Sequence, residues 1–408
     1  MSRAFAVVVL VALLSGCAGA GGDGIASSTS STATLGAGGT ASSTAGGGTT
    51  EPPRSGEVTP GDRWAIADPT SHGIDPSGLE RSRAYAFGKG KNTQGVVVVH
   101  RGEIVAEWYA DDAGPDSWAA SWSMAKSFTS ATVGIAMAQG KIRGVDEPMA
   151  TYLPAWAGSS HKDVTIRDVL QMSSGLGWNE EYDDVESDIV KMVLTQPDEL
   201  AFALSRPQAN EPGKKFSYSS GDTMLLSGLV QNATGRPLAD YAKENLLDRI
   251  GMQKVEWWRD AAGHTLGYCC FDSTSRDFAR LGLLYLRGGR WGDQQVVPEQ
   301  WVKDSVSPAT QAKGEYGYQW WTYDVPGVPA DIFAAIGVDE QYIYVIPSLD
   351  LVVVRSGTYG KDPGPPVADP NLYMRYPSAG IGQGKGTTPP DDWKTEQFLG
   401  PIVEAVKH

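Results

Sequence analysis

Ser123 and Lys126, in S-W-S-M-A-K-S-F, are a pair that could do nucleophilic chemistry. On a helix, residues three apart lie on one face, about one turn apart. A serine hydroxyl is inert at neutral pH until a base takes its proton. A lysine can be that base only as the neutral amine, and burial lowers its pKa in that direction. The stretch that follows, F-T-S-A-T-V-G-I-A-M-A, is apolar and small, which predicts a central helix and so supplies the burial. The start of such a helix also offers free N–H groups to a developing negative charge. The bland alternative is a buried helix start with a snorkelling lysine. A second match, Ser159 to Lys162, sits in a polar stretch after Gly158 and reads as a solvated loop leading to a helix cap.

Further along, Tyr218-Ser219-Ser220 precedes Gly221 and an apolar helical run. A tyrosine beside the lysine could relay a proton to a leaving group, although a packed tyrosine at a loop-to-helix junction fits the local pattern equally. The acidic run N-E-E-Y-D-D-V-E-S-D, with Tyr182 inside it, reads as a solvated surface loop. No Gly-x-Ser-x-Gly is present, so a nucleophile elbow is unsupported. The five histidines show no metal-ligand spacing, and nothing in the chain calls for a metal or an organic cofactor. Cys269-Cys270 is either a vicinal disulfide or two buried thiols, structural in both cases.

The elements that must position these groups can be read coarsely. T-Q-G-V-V-V-V-H-R-G-E-I-V-A-E-W-Y (93–109) predicts two strands joined at His100-Arg101-Gly102-Glu103. Residues 331–357 predict up to three strands, with turns near Val338-Asp339 and Pro347-Ser348. Between them, 123–321 reads as mostly helix and loop, with helices near 123–139, 166–172, 221–233 and 275–287; a last helix is predicted over 395–407. Strands from both chain ends would then form one antiparallel sheet flanked by helices, with a helical subdomain inserted: an α/β (α+β) fold.

The first residues read as an export signal. Arg3 is followed by A-F-A-V-V-V-L-V-A-L-L, too short to span a bilayer, which takes about 20 residues. The run ends at Leu14-Ser15-Gly16-Cys17, which resembles a lipobox; lipidation of Cys17 is expected, with an ordinary signal peptide as the alternative. Residues 18–62 are rich in Gly, Ser and Thr and predict a flexible tether, leaving 63–408 as the folded domain. The expected location is therefore the bacterial cell envelope, held to the membrane by the lipid alone. A net charge of −14 argues against nucleic acid as a partner, and 41% hydrophobic residues suffice for a sizeable core. Oligomeric state is not legible.

Taken in order, S-W-S-M-A-K-S-F, V-L-Q-M-S-S-G-L-G-W, P-G-K-K-F-S-Y-S-S-G-D, Y-C-C-F-D-S-T-S-R-D and G-V-D-E-Q-Y-I-Y-V-I-P resemble the serine β-lactamase and penicillin-binding-protein superfamily, most of all its 6-aminohexanoate-dimer (nylon-oligomer) hydrolases and related esterases. The resemblance implies Ser123 as nucleophile, Lys126 as base and Tyr218 as proton relay, in a cleft between sheet and helical region. It implies an oxyanion hole from the backbone N–H groups of Ser123 and Val338, a closing role for Tyr182, and Ser220, Ile336 and Gly337 against the substrate. It also places the Cys269-Cys270 pair in a wall near the cleft. Two departures stand out. Ser220 occupies the place where the family's second motif often has Asn, and Ala335-Ile336-Gly337 aligns where the third often has Lys-Thr-Gly. The lost lysine and threonine remove a grip on a carboxylate, which disfavours β-lactams and peptidoglycan stems. The resulting expectation is a serine hydrolase acting on a small ester or amide through an acyl-enzyme. The rivals are a catalytically silent binding lipoprotein of the same fold and a β-lactamase or D-Ala carboxypeptidase.

Overall fold

The computed structural model describes residues 58–182, 184–357 and 393–407. Cys17 and most of the tether lie outside the described residues. The folded body is engaged from Val58, whose N–H donates to the Arg101 carbonyl at 3.1 Å, slightly ahead of the boundary expected near 62.

Eleven strands and ten helices are described. The strands are β1 (Thr93–His100), β2 (Glu103–Tyr109), β3 (Trp118–Ala120), β4 (Glu256–Trp257), β5 (Phe271–Thr274), β6 (Arg290–Trp291), β7 (Gln294–Gln295), β8 (Trp321–Thr322), β9 (Phe333–Gly337), β10 (Gln341–Ile346) and β11 (Leu351–Gly357). The helices are α1 (Pro76–Ala86), α2 (Ala125–Ala138), α3 (Ile166–Leu170), α4 (Asp188–Thr195), α5 (Glu199–Leu204), α6 (Ser220–Thr234), α7 (Leu238–Ala242), α8 (Ser275–Leu286), α9 (Glu299–Ser305) and α10 (Thr395–Lys407).

The main sheet runs β2-β1-β11-β10-β9-β8, so strands from the two ends of the chain meet at its centre. The β1–β11 pairing is antiparallel, with Val97 opposite Val354 and Val99 opposite Val352. Both faces of these strands are covered, which is why their sequences are unbroken apolar runs instead of alternating ones. Val97, Val99, Val352 and Val354 join the larger core with α2 and α8. Val96, Val98 and Val353 face the other way, into the cluster that includes Leu79 of α1 and Phe398 of α10. The β1–β2 turn takes left-handed backbone at Arg101 (φ 54°) and Gly102 (φ 86°), the primed geometry that suits a two-residue hairpin. A side chain at Gly102 would also lie 1.8 Å from the Val58 carbonyl oxygen, so this turn fixes where the body begins.

The predicted helices appear within a few residues of their expected bounds, set by local caps: Thr165 for α3, Ser219 for α6 and Thr274 for α8 each accept a helix N–H. The stretch read as helix and loop also holds strands. β3, β5 and β4 form a second small sheet, with Ala119 opposite Ser273 and Trp257 opposite Phe271. Strands of two to four residues have too short a period to stand out in the sequence. This sheet matters because it leads directly into the residues before Ser123.

Candidate active site

Ser123 sits in a 3-10 turn, Trp122–Met124, that runs into α2. The turn is anchored by Ser121. Its N–H donates to the Phe271 carbonyl at 3.0 Å, and its Oγ accepts from the Phe271 N–H at 3.1 Å. Trp122 carries a positive φ of 43°, a sparsely populated conformation for a bulky residue. The last residue of β9 abuts this turn. A Cβ on Gly337 would lie 2.4 Å from the Ser121 carbonyl oxygen and 3.1 Å from Trp122 Cβ, so only glycine allows strand and turn to approach this closely.

Lys126 is 1% exposed. Its Nζ donates to Ser123 Oγ at 3.0 Å, to Ser220 Oγ at 3.2 Å and to the Tyr268 carbonyl at 3.0 Å. Burial pushes its pKa down to about 8, against an upward pull from the negative charge of Glu180. The ammonium is thus held by three acceptors, one of which is the candidate nucleophile. The small polar residues of α2 stitch the helix in place: Ser127 Oγ donates to the Gln319 carbonyl and Thr129 Oγ1 to the Gly267 carbonyl, each at 2.7 Å.

The ring of Tyr218 lies 4.9 Å from Lys126 Nζ and stacks on Trp321. Burial raises its hydroxyl well above the usual phenol range, and a hydrogen bond with Ser123 draws it back. Tyr182 is half exposed over its whole surface, yet its hydroxyl end reaches inward, to Glu180 Oε1 at 2.9 Å and to Ser123. Burial of that end, and then the Glu180 charge, push its pKa above the phenol range. Ser123, Lys126, Tyr218, Tyr182 and Ser220 therefore converge, although they are spread over nearly a hundred residues of chain.

One correction concerns Ile336. Its side chain packs with the cluster beneath α10, on the face of the sheet away from Ser123, instead of lining the site. Side chains alternate along a strand, so Ala335, in the core on the α2 side, and Ile336 cannot both face it.

Three groups were not singled out from the sequence. Glu180, within the acidic run read as solvated, accepts from Ser220 Oγ at 2.5 Å and from Tyr182 through Oε1, and from the Ser220 N–H at 2.9 Å and the Trp178 indole through Oε2. It places a carboxylate at the start of α6, where the helix dipole favours one. The two-residue spacing of Glu180 and Tyr182 was the available signal, since an extended loop aims such residues to one side. Asp222 is buried, its pKa raised to about 7 by that burial, and takes a 2.6 Å hydrogen bond from Ser174 Oγ. That contact ties L-Q-M-S-S-G-L to α6. Arg355, fully buried in β11, donates to the Asp339 and Glu340 carbonyls at 3.0 and 2.7 Å. It thereby holds the β9–β10 turn that carries Val338.

Elsewhere the second Ser-x-x-Lys is a surface feature: Lys162 pairs with Asp163 at 2.5 Å and Ser159 Oγ donates to the Trp156 carbonyl. Among the described residues, Asp198, Asp260 and His264 bring metal-type atoms within 4.8 Å of one another. The two carboxylates already serve the chain: Asp198 caps α5 through the Ala201 N–H, and Asp260 accepts from the Glu199 and His264 N–H groups. Cys269 and Cys270 are joined as a vicinal disulfide.

Comparison with known proteins agrees with this architecture. A family model described as Beta-lactamase matches residues 83–372. The 6-aminohexanoate-dimer hydrolase of Paenarthrobacter ureafaciens is 24% identical over 289 residues, covering 65% of this chain and 73% of that protein. Among solved structures, a putative 6-aminohexanoate-dimer hydrolase from Bacillus anthracis is similar with a TM-score of 0.61 at 20% identity, covering 74% of this chain and 84% of its own. EstCE1, a hydrolase with promiscuous acyltransferase activity, is similar with a TM-score of 0.59 at 14% identity, covering 82% of this chain and 99% of its own. These two solved structures support the fold, and the family model spans most of the described body. The chain belongs to the beta-lactamase family of serine hydrolases.

Proposed function

We propose that the protein hydrolyses a small ester or amide through an acyl-enzyme on Ser123. The observation that carries this reading is the buried Lys126 Nζ held 3.0 Å from Ser123 Oγ. In the neutral form, Lys126 takes the hydroxyl proton as Ser123 Oγ attacks the carbonyl carbon. We assign the oxyanion that forms to the backbone N–H groups of Ser123 and Val338, a reading supported by the close approach of the neighbouring Gly337 to Ser121. Tyr218, near both Lys126 and Ser123, passes a proton to the leaving oxygen or nitrogen. Water then attacks the acyl carbon, with Tyr218 or Lys126 as base, and the ester bond to Ser123 breaks. Tyr182 closes over the substrate from the Glu180 loop, and Ser220 hands the lysine's orientation to Glu180.

The apolar Ala335-Ile336 stretch of β9 offers no cation for a substrate carboxylate, which favours esters and linear amides over β-lactams. The relative from Paenarthrobacter ureafaciens, named for a linear amide dimer, supports the amide side of that range. Lipidation of Cys17 and attachment to the envelope through the 18–62 tether complete the reading. A fluorophosphonate probe and p-nitrophenyl acetate test it together. Wild type should take up one label and release p-nitrophenol; Ser123→Ala and Lys126→Ala should do neither, and Ser159→Ala should do both. Full labelling of Ser123→Ala would sink the assignment.

A further inference from the structure

The residues that hold the candidate catalytic groups from behind form one short strap. The Tyr268 carbonyl accepts from Lys126 Nζ at 3.0 Å, and three residues later Phe271 exchanges two hydrogen bonds with Ser121, next to the nucleophile turn. The two residues between those anchor points are Cys269 and Cys270, joined to each other. Each anchor is itself fixed. The Tyr268 hydroxyl donates to Glu199 Oε2 at 2.6 Å, and the preceding Gly267 carbonyl is held by Thr129 of α2. On the far side, the Cys270 carbonyl accepts from the Trp258 N–H at 3.0 Å.

Cys270 has a positive φ of 63°, a left-handed conformation that costs a non-glycine residue and persists only where its surroundings impose it. A disulfide between neighbouring residues closes a small ring over their shared peptide and removes most of its freedom. We propose that the Cys269–Cys270 disulfide is a positioning element for Lys126: closed, it fixes the strap so that the Tyr268 carbonyl meets the amine while Phe271 meets Ser121. Opened, the strap relaxes and the lysine is no longer aimed at Ser123 Oγ. The inference rests on Lys126 being the base, as set out above. Opening consumes a dithiol: its two thiols are oxidised to a disulfide, the Cys269–Cys270 bond takes the two electrons, and two protons pass to the cysteine sulfurs. Both cysteines are buried but not fully sealed, at 7% and 8% exposure.

The test uses the full chain carrying Cys17→Ser, so that Cys269 and Cys270 are the only cysteines, and compares it before and after dithiothreitol. Iodoacetamide followed by mass spectrometry should add two carbamidomethyl groups only after reduction. Near-ultraviolet circular dichroism reports whether the fold survives. With p-nitrophenyl acetate, kcat should fall roughly tenfold to a hundredfold, the scale of a small misplacement of a catalytic group, while KM stays within about twofold. The dichroism should be unchanged and re-oxidation should restore the rate. A Cys269→Ser/Cys270→Ser double variant should reproduce the reduced enzyme and be insensitive to dithiothreitol. An unchanged kcat on verified reduction overturns the proposal, as does a loss of rate that tracks loss of the dichroism signal. If the oxidised enzyme shows no Ser123-dependent turnover, the reading of Lys126 as a base fails first and takes this inference with it.

Discussion

Lys126 shows how one residue is set between stability and chemistry. Burial holds its pKa at about 8, below the usual 10.5. The neutral amine becomes abundant only as pH rises through that value, so kcat/KM for an acetate ester should climb with pH and level off above it. Glu180 pulls the same pKa upward. Glu180→Gln should therefore move the rising limb to lower pH, and a limb that stays in place would contradict the link. The same shift has a stability consequence of opposite usefulness. The unfolded chain binds the lysine proton more tightly than the folded one, so the charged lysine opposes folding below about pH 8, and the penalty fades as pH rises towards 10.5. Denaturant melts of Lys126→Met should show it gaining on the wild type at pH 7. That advantage should shrink, by on the order of 3 kcal/mol, as the pH approaches 10.5.

At the scale of elements, the approach of β9 to the turn before α2 carries the geometry. Gly337 permits it, and Arg355 braces the hairpin beyond from within β11. Gly337→Ala places a methyl 2.4 Å from the Ser121 carbonyl oxygen, and strand and turn must separate. A rate loss of about a hundredfold on the best ester is expected for such a displacement, with the fold retained by thermal unfolding; kinetics equal to the wild type would show that the contact does not position the site. The same strand bears on substrate choice. With Ala335 directed into the core and Ile336 towards α10, β9 presents no cation to a carboxylate. Nitrocefin should be hydrolysed far more slowly than p-nitrophenyl butyrate, and comparable rates would remove this account of specificity.

For the whole molecule, the proposal to test is a lipid anchor at Cys17 ahead of the folded body in the chain. If Cys17 is lipidated as proposed, Cys17→Ser should free the protein from washed membranes with its esterase activity intact, because Cys17 lies more than a hundred residues ahead of Ser123 in the chain; retention of the variant in the membrane fraction would remove the lipid anchor. What the sequence determined alone was local or periodic. Valine-rich runs marked strands, apolar helical stretches marked helices, and the three-residue spacing of Ser123 and Lys126 marked the pair that the structure sets in the turn Trp122–Met124 and the first turn of α2. Motif order added the family, because spacing along the chain is itself sequence information. Tertiary structure decided the rest. Glu180 meets Ser220 across 40 residues, Lys126 meets Tyr268 across 142, and Arg355 reaches Lys91 across 264. A carboxylate in an acidic run looks solvated until a distant helix N-terminus is brought to it. Ile336 looked like a site residue until the pleat of β9 turned it to the other face. Local propensity sets which elements form, but only their packing fixes which buried polar groups must find one another.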